Sequence, residues 1–159
     1  MVRKKSWASA PCPMARAVDL LGDWGSLMIL REAFGGTTRF DDFQKRLGMS
    51  RNLLTSRLKK LVARGVLERR PITDAARRQE YVMTEMGEDL TTTIVALRQW
   101  GDRWLFRPAI PPAEMFDAVD GSRLEELRAR SSRGRIVGRS DVHLRRPLSK
   151  SGKRPHRAP

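Results

Sequence analysis

Between residues 13 and 105 the apolar positions recur at two spacings, and the change from one to the other marks the elements. Met14, Val18 and Leu21 share one face of a predicted first helix, whose opening turn suits Pro13. Gly22-Asp23 ends it. A second helix is predicted over residues 24–34, with Leu27, Leu30 and Phe34 expected inside, and Gly35-Gly36 breaks it. Phe40, Phe43 and Leu47 lie at i, i+3 and i+7, the mark of a third, short helix. Gly48 can adopt positive φ in the turn that follows, and Ser50 is placed to cap a fourth helix over residues 51–64. Two runs at strand spacing come next, residues 66–70 and 79–83, joined by residues 71–78. Thr84 caps a fifth helix expected to reach about Leu105. The expected fold class is mainly α with a small antiparallel β-hairpin wing: a winged helix-turn-helix with flanking dimerisation helices.

On a helical wheel the fourth helix is two-sided. Leu54, Leu58, Leu61 and Val62 fall in one arc and should face the core, with Leu53 at its margin near Arg57. The opposite arc holds Asn52, Thr55, Ser56, Lys59 and Ala63, flanked by Arg51 and Lys60. Short polar side chains near a helix start can approach base edges, where Asn and Arg have bidentate partners. Longer cations further along can reach phosphates and fix orientation. An exposed basic face by itself is usually only solvated charge. Here the preceding Phe-x-x-Phe helix, the Gly turn and the hairpin favour a DNA reader. Arg51, Asn52, Thr55, Ser56, Lys59 and Lys60 are the expected contacts on this helix. Arg77 and Arg78 at the hairpin tip are expected to lie along the backbone or in a narrowed minor groove, with Arg69 and Arg70 behind them. The alternative for that tip is a basic, solvated turn.

Leu90, Ile94, Leu97, Gly101 and Trp104 are spaced 4, 3, 4 and 3, the seam of a helix that pairs with another. Gly101 would let a neighbouring backbone come close. The competing reading packs this seam on the chain's own core. Trp24, Phe34, Trp100 and Trp104 are read first as aromatic core, with the lining of a pocket between subunits as the alternative. A dimer is expected on separate grounds, since one short helix contacts few base pairs. Two copies about 34 Å apart would read a palindrome on one side of the duplex.

Charge narrows the partners. The 159 residues carry 32 Lys and Arg against 18 acids, a net of +14, so a polyanion is the natural partner and double-stranded DNA the expected one. Residues 51–78 hold nine cations against Glu68 and Asp74, dense enough for binding that falls steeply with salt. No apolar run approaches the roughly 20 residues of a membrane span, and no signal-peptide core follows the basic start; a cytoplasmic protein without membrane contact is expected. The chain divides into a basic arm (residues 1–11), the winged-helix domain (12–106), a Pro-rich linker with a short helix expected through Met115, Phe116, Val119, Leu124 and Leu127 (107–130), and a basic tail (131–159). That tail has nine Lys and Arg against one acid and few large apolar residues, so it should be disordered.

Cys12 is the only cysteine, which excludes an internal disulfide and a cysteine-rich zinc site. His143 and His156 both fall in the tail, so no histidine base is expected near it. Neither a phosphate-cradling glycine loop nor a metal-ligand cluster appears. No catalytic residue, metal or cofactor is expected. The rival class is a basic nucleoid-type or RNA-binding structural protein whose tail dominates; such a protein would lose all binding together as salt rises.

Several blocks resemble one family. Asp19-Leu20-Leu21-Gly22-Asp23-Trp24, Ile29-Leu30-Arg31-Glu32, Arg39-Phe40-Asp41-Asp42-Phe43, the run from Leu58 to Arg70 and Tyr81-Val82-Met83-Thr84-Glu85-Met86-Gly87 occur in the order found in HxlR-type transcriptional regulators. The resemblance spans roughly residues 12–105. It implies a homodimeric winged-helix regulator, with the first and last helices at the dimer contact and the fourth in the major groove. It also sets Cys12 where many members carry a cysteine, which in some senses oxidants or electrophiles, so Cys12 is a candidate redox sensor. A small-molecule effector is also compatible with this sequence. The dipole of a helix favours a thiolate at its start; the plain alternative is a small residue without chemistry. Residues after Phe106 match nothing in the family pattern.

Overall fold

The supply of hydrogen-bond partners at the helix ends accounts for much of the architecture in the computed structural model, which describes residues 6–72, 78–106, 109–111 and 113–145. Cys12 stands in extended backbone before α1 (Pro13–Leu21), and Pro13 opens the helix. Asp23 caps α2 (Trp24–Phe34) by accepting from the Ser26 N–H at 2.9 Å. Next, α3 (Phe40–Leu47) ends at Gly48, whose φ of +62° makes the turn. The Ser50 hydroxyl then accepts from the Leu53 N–H at 3.3 Å and starts α4 (Arg51–Ala63). Strands β1 (Leu67–Pro71) and β2 (Gln79–Met83) pair antiparallel with Leu67 opposite Met83 and Pro71 opposite Gln79. Arg39 adds a bridge to Glu80, and the Tyr81 N–H donates to Thr38 O at 2.8 Å, so the chain before α3 anchors the wing. The hydrophobic spacings did not show that third rung.

The core gathers around Phe43, Ile29, Leu54, Leu58 and Leu61, all at 0% exposure, with Leu30, Val66 and Leu67 beside them. Within α2 the buried stripe is Ser26, Ile29, Leu30 and Ala33. Leu30 is inside as expected, but Leu27 is half-buried and Phe34 is 38% exposed. The helix is apolar around most of its circumference, so periodicity alone could not choose the inward face.

The expected single fifth helix is two: α5 (Glu85–Glu88) and α6 (Thr91–Trp104). Thr84 caps α5 by accepting from the Gly87 N–H, while its own hydroxyl donates to Gly65 O at 2.5 Å. Gly87 presses so closely on the residue before β1 that a Cβ there would lie 2.4 Å from Val66 O. Beyond it, residues 91–95 form a β-branched run (Thr-Thr-Thr-Ile-Val), poorly suited to extend a helix without a new start. The Thr91 hydroxyl donates to Glu88 O at 2.7 Å, taking up a carbonyl at the break.

The chain divides into two compact units, residues 1–107 and 108–159. In the second, the helix expected within residues 113–130 is absent. Phe116 bridges Arg123 and Arg130 bridges Ile136, around turns containing Gly121 (φ +71°) and Gly134 (φ +79°), and a 3-10 turn follows at Arg139–Asp141. The side chains of Asp117 and Asp120 accept from the Val119 and Ser122 N–H groups, replacing helical bonds with local turns. Residues 131–145, expected to be disordered, share this turn-and-bridge structure; residues 146–159 lie outside the described residues. None of the described side chains of this unit is buried. No helix among the described residues is long and apolar enough to cross a membrane.

Candidate nucleic-acid interface

Helix α4 holds its inner face by full burial of Leu54, Leu58 and Leu61, which leaves the opposite arc free. Arg51, Asn52, Ser56 and Lys59 are exposed there, and Thr55 is half-buried between the two arcs. Arg51 is held in place: its guanidinium lies 5.2 Å from the centroid of the Phe40 ring, so α3 presents a cation at the start of α4. On the wing, Arg78 is exposed, and its carbonyl accepts from the Ile72 N–H at 3.2 Å. Arg77, the other expected tip contact, lies outside the described residues. Arg69 rests over its cross-strand partner Tyr81, 5.9 Å from the ring centroid, and Arg70 pairs with Glu68. Those two cations are thus partly committed within the hairpin.

Lys60 corrects the sequence reading. It was expected to flank the outer face, but its Nζ donates to Asp19 O at 2.9 Å and Leu20 O at 2.8 Å, closing the C-terminus of α1. The same ammonium approaches Asp23 Oδ2 at 3.3 Å, and Arg57 Nε lies 2.7 Å from Asp23 Oδ1. Asp23, its side chain only 11% exposed, also accepts from the Ser26 hydroxyl at 2.7 Å. Burial alone pushes the Asp23 carboxyl upward. The Ser26 hydroxyl and N–H, the charge of Arg57 and the hydrogen bond from Lys60 outweigh that and hold it below the ordinary carboxylate value. Asp19 is also lowered, chiefly by the Trp7 N–H that donates to it at 2.8 Å. Sequence reasoning missed this cluster, although Asp23-x-x-Ser26 has the spacing of a helix cap and Arg57, Lys60 and the C-cap Arg64 share one stripe along α4 and its end.

The expected pairing seam divides. Leu90 and Ile94 pack on the chain's own core, and Val95 is the buried residue of α6. Leu97, Trp100 and Trp104 face outward, Trp104 at 66% exposure, and open space surrounds the position of a Cβ on Gly101. Trp24 is exposed as well. The four aromatics first read as core therefore lie at the surface, because α2 and α6 turn other faces inward. Met14 and Val18 of α1 are also exposed, and Cys12 is exposed at that helix's start.

A helix-turn-helix with a hairpin behind its second helix, and an exposed polar arc on that helix, defines a winged helix-turn-helix protein. The HxlR-like helix-turn-helix family model matches residues 20–108, and the chain belongs to that family. Among its relatives, the HTH-type transcriptional regulator Rv3095 of Mycobacterium tuberculosis is 45% identical over 102 residues, covering 64% of this chain and 65% of the relative. The chain therefore spans less than two-thirds of that relative's length. The regulator sll1512 of Synechocystis is 34% identical over 95 residues, 59% of this chain and 70% of the relative. Among solved structures, the transcription-factor candidate PA1607 superposes with a TM-score of 0.84 at 36% identity, covering 90% of this chain and all of that one. A match of that extent continues well past residue 107, so the second unit, for which the family pattern offered no counterpart, has one in PA1607. The redox regulator HypR in its oxidised form matches with a TM-score of 0.53 at 25% identity, over 58% of this chain and 96% of that one.

Proposed function

We propose that this protein is a sequence-specific, DNA-binding transcriptional regulator that acts as a homodimer on a palindromic operator and represses by occupying it. One observation carries the reading. Leu54, Leu58 and Leu61 anchor α4 at 0% exposure while Asn52, Ser56 and Lys59 stand free on its other side, beside a hairpin bearing Arg78. Asn52 and Ser56 read base edges in the major groove; Arg51, Lys59 and the wing arginines hold phosphates. The exposed apolar surface of α1 and α6, with Leu97, Trp100 and Trp104, supports pairing of two copies. The family and the names of its relatives support regulation of transcription. The discriminating experiment is selection from random DNA with Asn52→Ala and Ser56→Ala. Both should relax sequence preference and leave nonspecific affinity nearly intact. Selection of the same palindrome by both variants would refute the assignment of this face.

Cys12 supports a second layer, control by thiol oxidation, because it is exposed at the start of α1 and a solved neighbour is a redox regulator. With no second cysteine in the chain, any disulfide it forms joins two subunits or traps a small thiol. Operator affinity before and after diamide, with Cys12→Ser as control, tests it; equal affinities throughout leave Cys12 structural.

A further inference from the structure

Helix α1 contributes no fully buried side chain, and only Leu20 and Leu21 at its end lean half-buried on the core. Polar contacts with the recognition helix complete its attachment. Arg57 and Lys60 of α4 and Arg64, its C-cap, stand at i, i+3 and i+7, so they share one stripe beside the leucine face. Lys60 closes the last carbonyls of α1, Arg57 and Lys60 meet Asp23, and Arg64 Nη2 lies 3.9 Å from Asp19 Oδ2. The cation on the α1 carbonyls also matches the negative end of that helix's dipole. Asp23 is shared, since it caps α2 while holding α4. Three helices are therefore joined at one partly buried cluster. Removing the Lys60 ammonium would leave a shielded carboxylate and two helix-end carbonyls short of a donor.

We propose that Arg57, Lys60 and Arg64 are positioning residues: with Asp19 and Asp23 they lock α1 to α4 and so set the separation at which a dimer presents its two recognition helices. The proposal rests on the homodimeric DNA reading above, and its first test is independent of DNA. In full-length Lys60→Met, the backbone amides of residues 17–22 should exchange with solvent at least about tenfold faster than in the wild type. Those of α2 and α3 should stay within about twofold. Asp23→Asn keeps a competent helix cap and should show the same pattern, so the test survives if Lys60→Met fails to fold. Unchanged α1 exchange in the folded variants overturns the proposal.

The second test uses the palindrome selected by the wild type, with half-sites at the native spacing and one base pair closer or further, each step about 3.4 Å. The wild type should prefer its native spacing by at least about tenfold. Lys60→Met should bind all three within about threefold of one another, with an unaltered salt dependence. A salt slope reduced by about one, with the spacing preference intact, would make Lys60 a phosphate contact and overturn the proposal. If the wild type selects no palindrome, the homodimeric reading fails, and the exchange result alone decides the latch.

Discussion

Replacing Leu58 with alanine should cost the domain about 3–5 kcal/mol. Leu58 is completely buried and packs within the cluster that α4 shares with α2 and α3. The substitution deletes three carbons, which at about 0.8 kcal/mol per methylene is about 2.4 kcal/mol of transfer free energy. The remaining cost is the cavity, since Ile29, Leu54 and Leu61 can collapse only in part. A domain this small has about 5–15 kcal/mol of total stability, and each kcal/mol is worth about 4–8 °C in melting temperature. Leu58→Ala should therefore melt more than about 12 °C below the wild type, with an earlier urea midpoint and an unchanged slope. Its neighbour Lys59 is exposed. Lys59→Ala should stay within about 0.5 kcal/mol of wild-type stability while reducing the salt slope of DNA binding by about one. Urea titrations followed by circular dichroism, with binding measured at several salt concentrations, separate the two effects. A loss below about 1 kcal/mol in Leu58→Ala would show that α4 is not anchored by its leucine face, and the inward and outward assignments would fall together.

Gly87→Ala should destabilise by about 1–3 kcal/mol despite alanine's better helix propensity, because the new methyl would meet the Val66 carbonyl; a wild-type melting curve would refute the close approach. Trp100→Ser with Trp104→Ser should leave the monomer's melting nearly unchanged, since both side chains are exposed, but shift sedimentation from dimer to monomer; an unaltered dimer would place the contact elsewhere. For pH, Asp23 has a depressed folded-state value, so its contribution is present above the unfolded carboxylate value of about 3.9 and is lost as pH falls through the folded value. Wild type should therefore lose more stability below about pH 4 than Asp23→Asn does, and parallel acid transitions would remove Asp23 from the stabilising groups.

Elements whose local chemistry and burial demand agree were legible in the chain itself. Phe40, Phe43 and Leu47 form a helix because their spacing matches a single inward face. Gly48 and Ser50 make the turn because one tolerates positive φ and the other supplies an acceptor to an open N–H. The leucine face of α4 and the pairing of the wing followed from period alone. The arrangement decided the rest. Helix α2 is apolar on most sides, so only packing could select Ile29 over Phe34; the expected single last helix is broken at Asp89-Leu90, just beyond the point where Gly87 lies against Val66. Lys60 belongs to the outer flank on a helical wheel, yet it reaches two carbonyls 40 and 41 residues away in the chain. A long cation takes whichever acceptors the fold brings to its tip, and those acceptors come from the end of another helix, which no periodicity along α4 encodes.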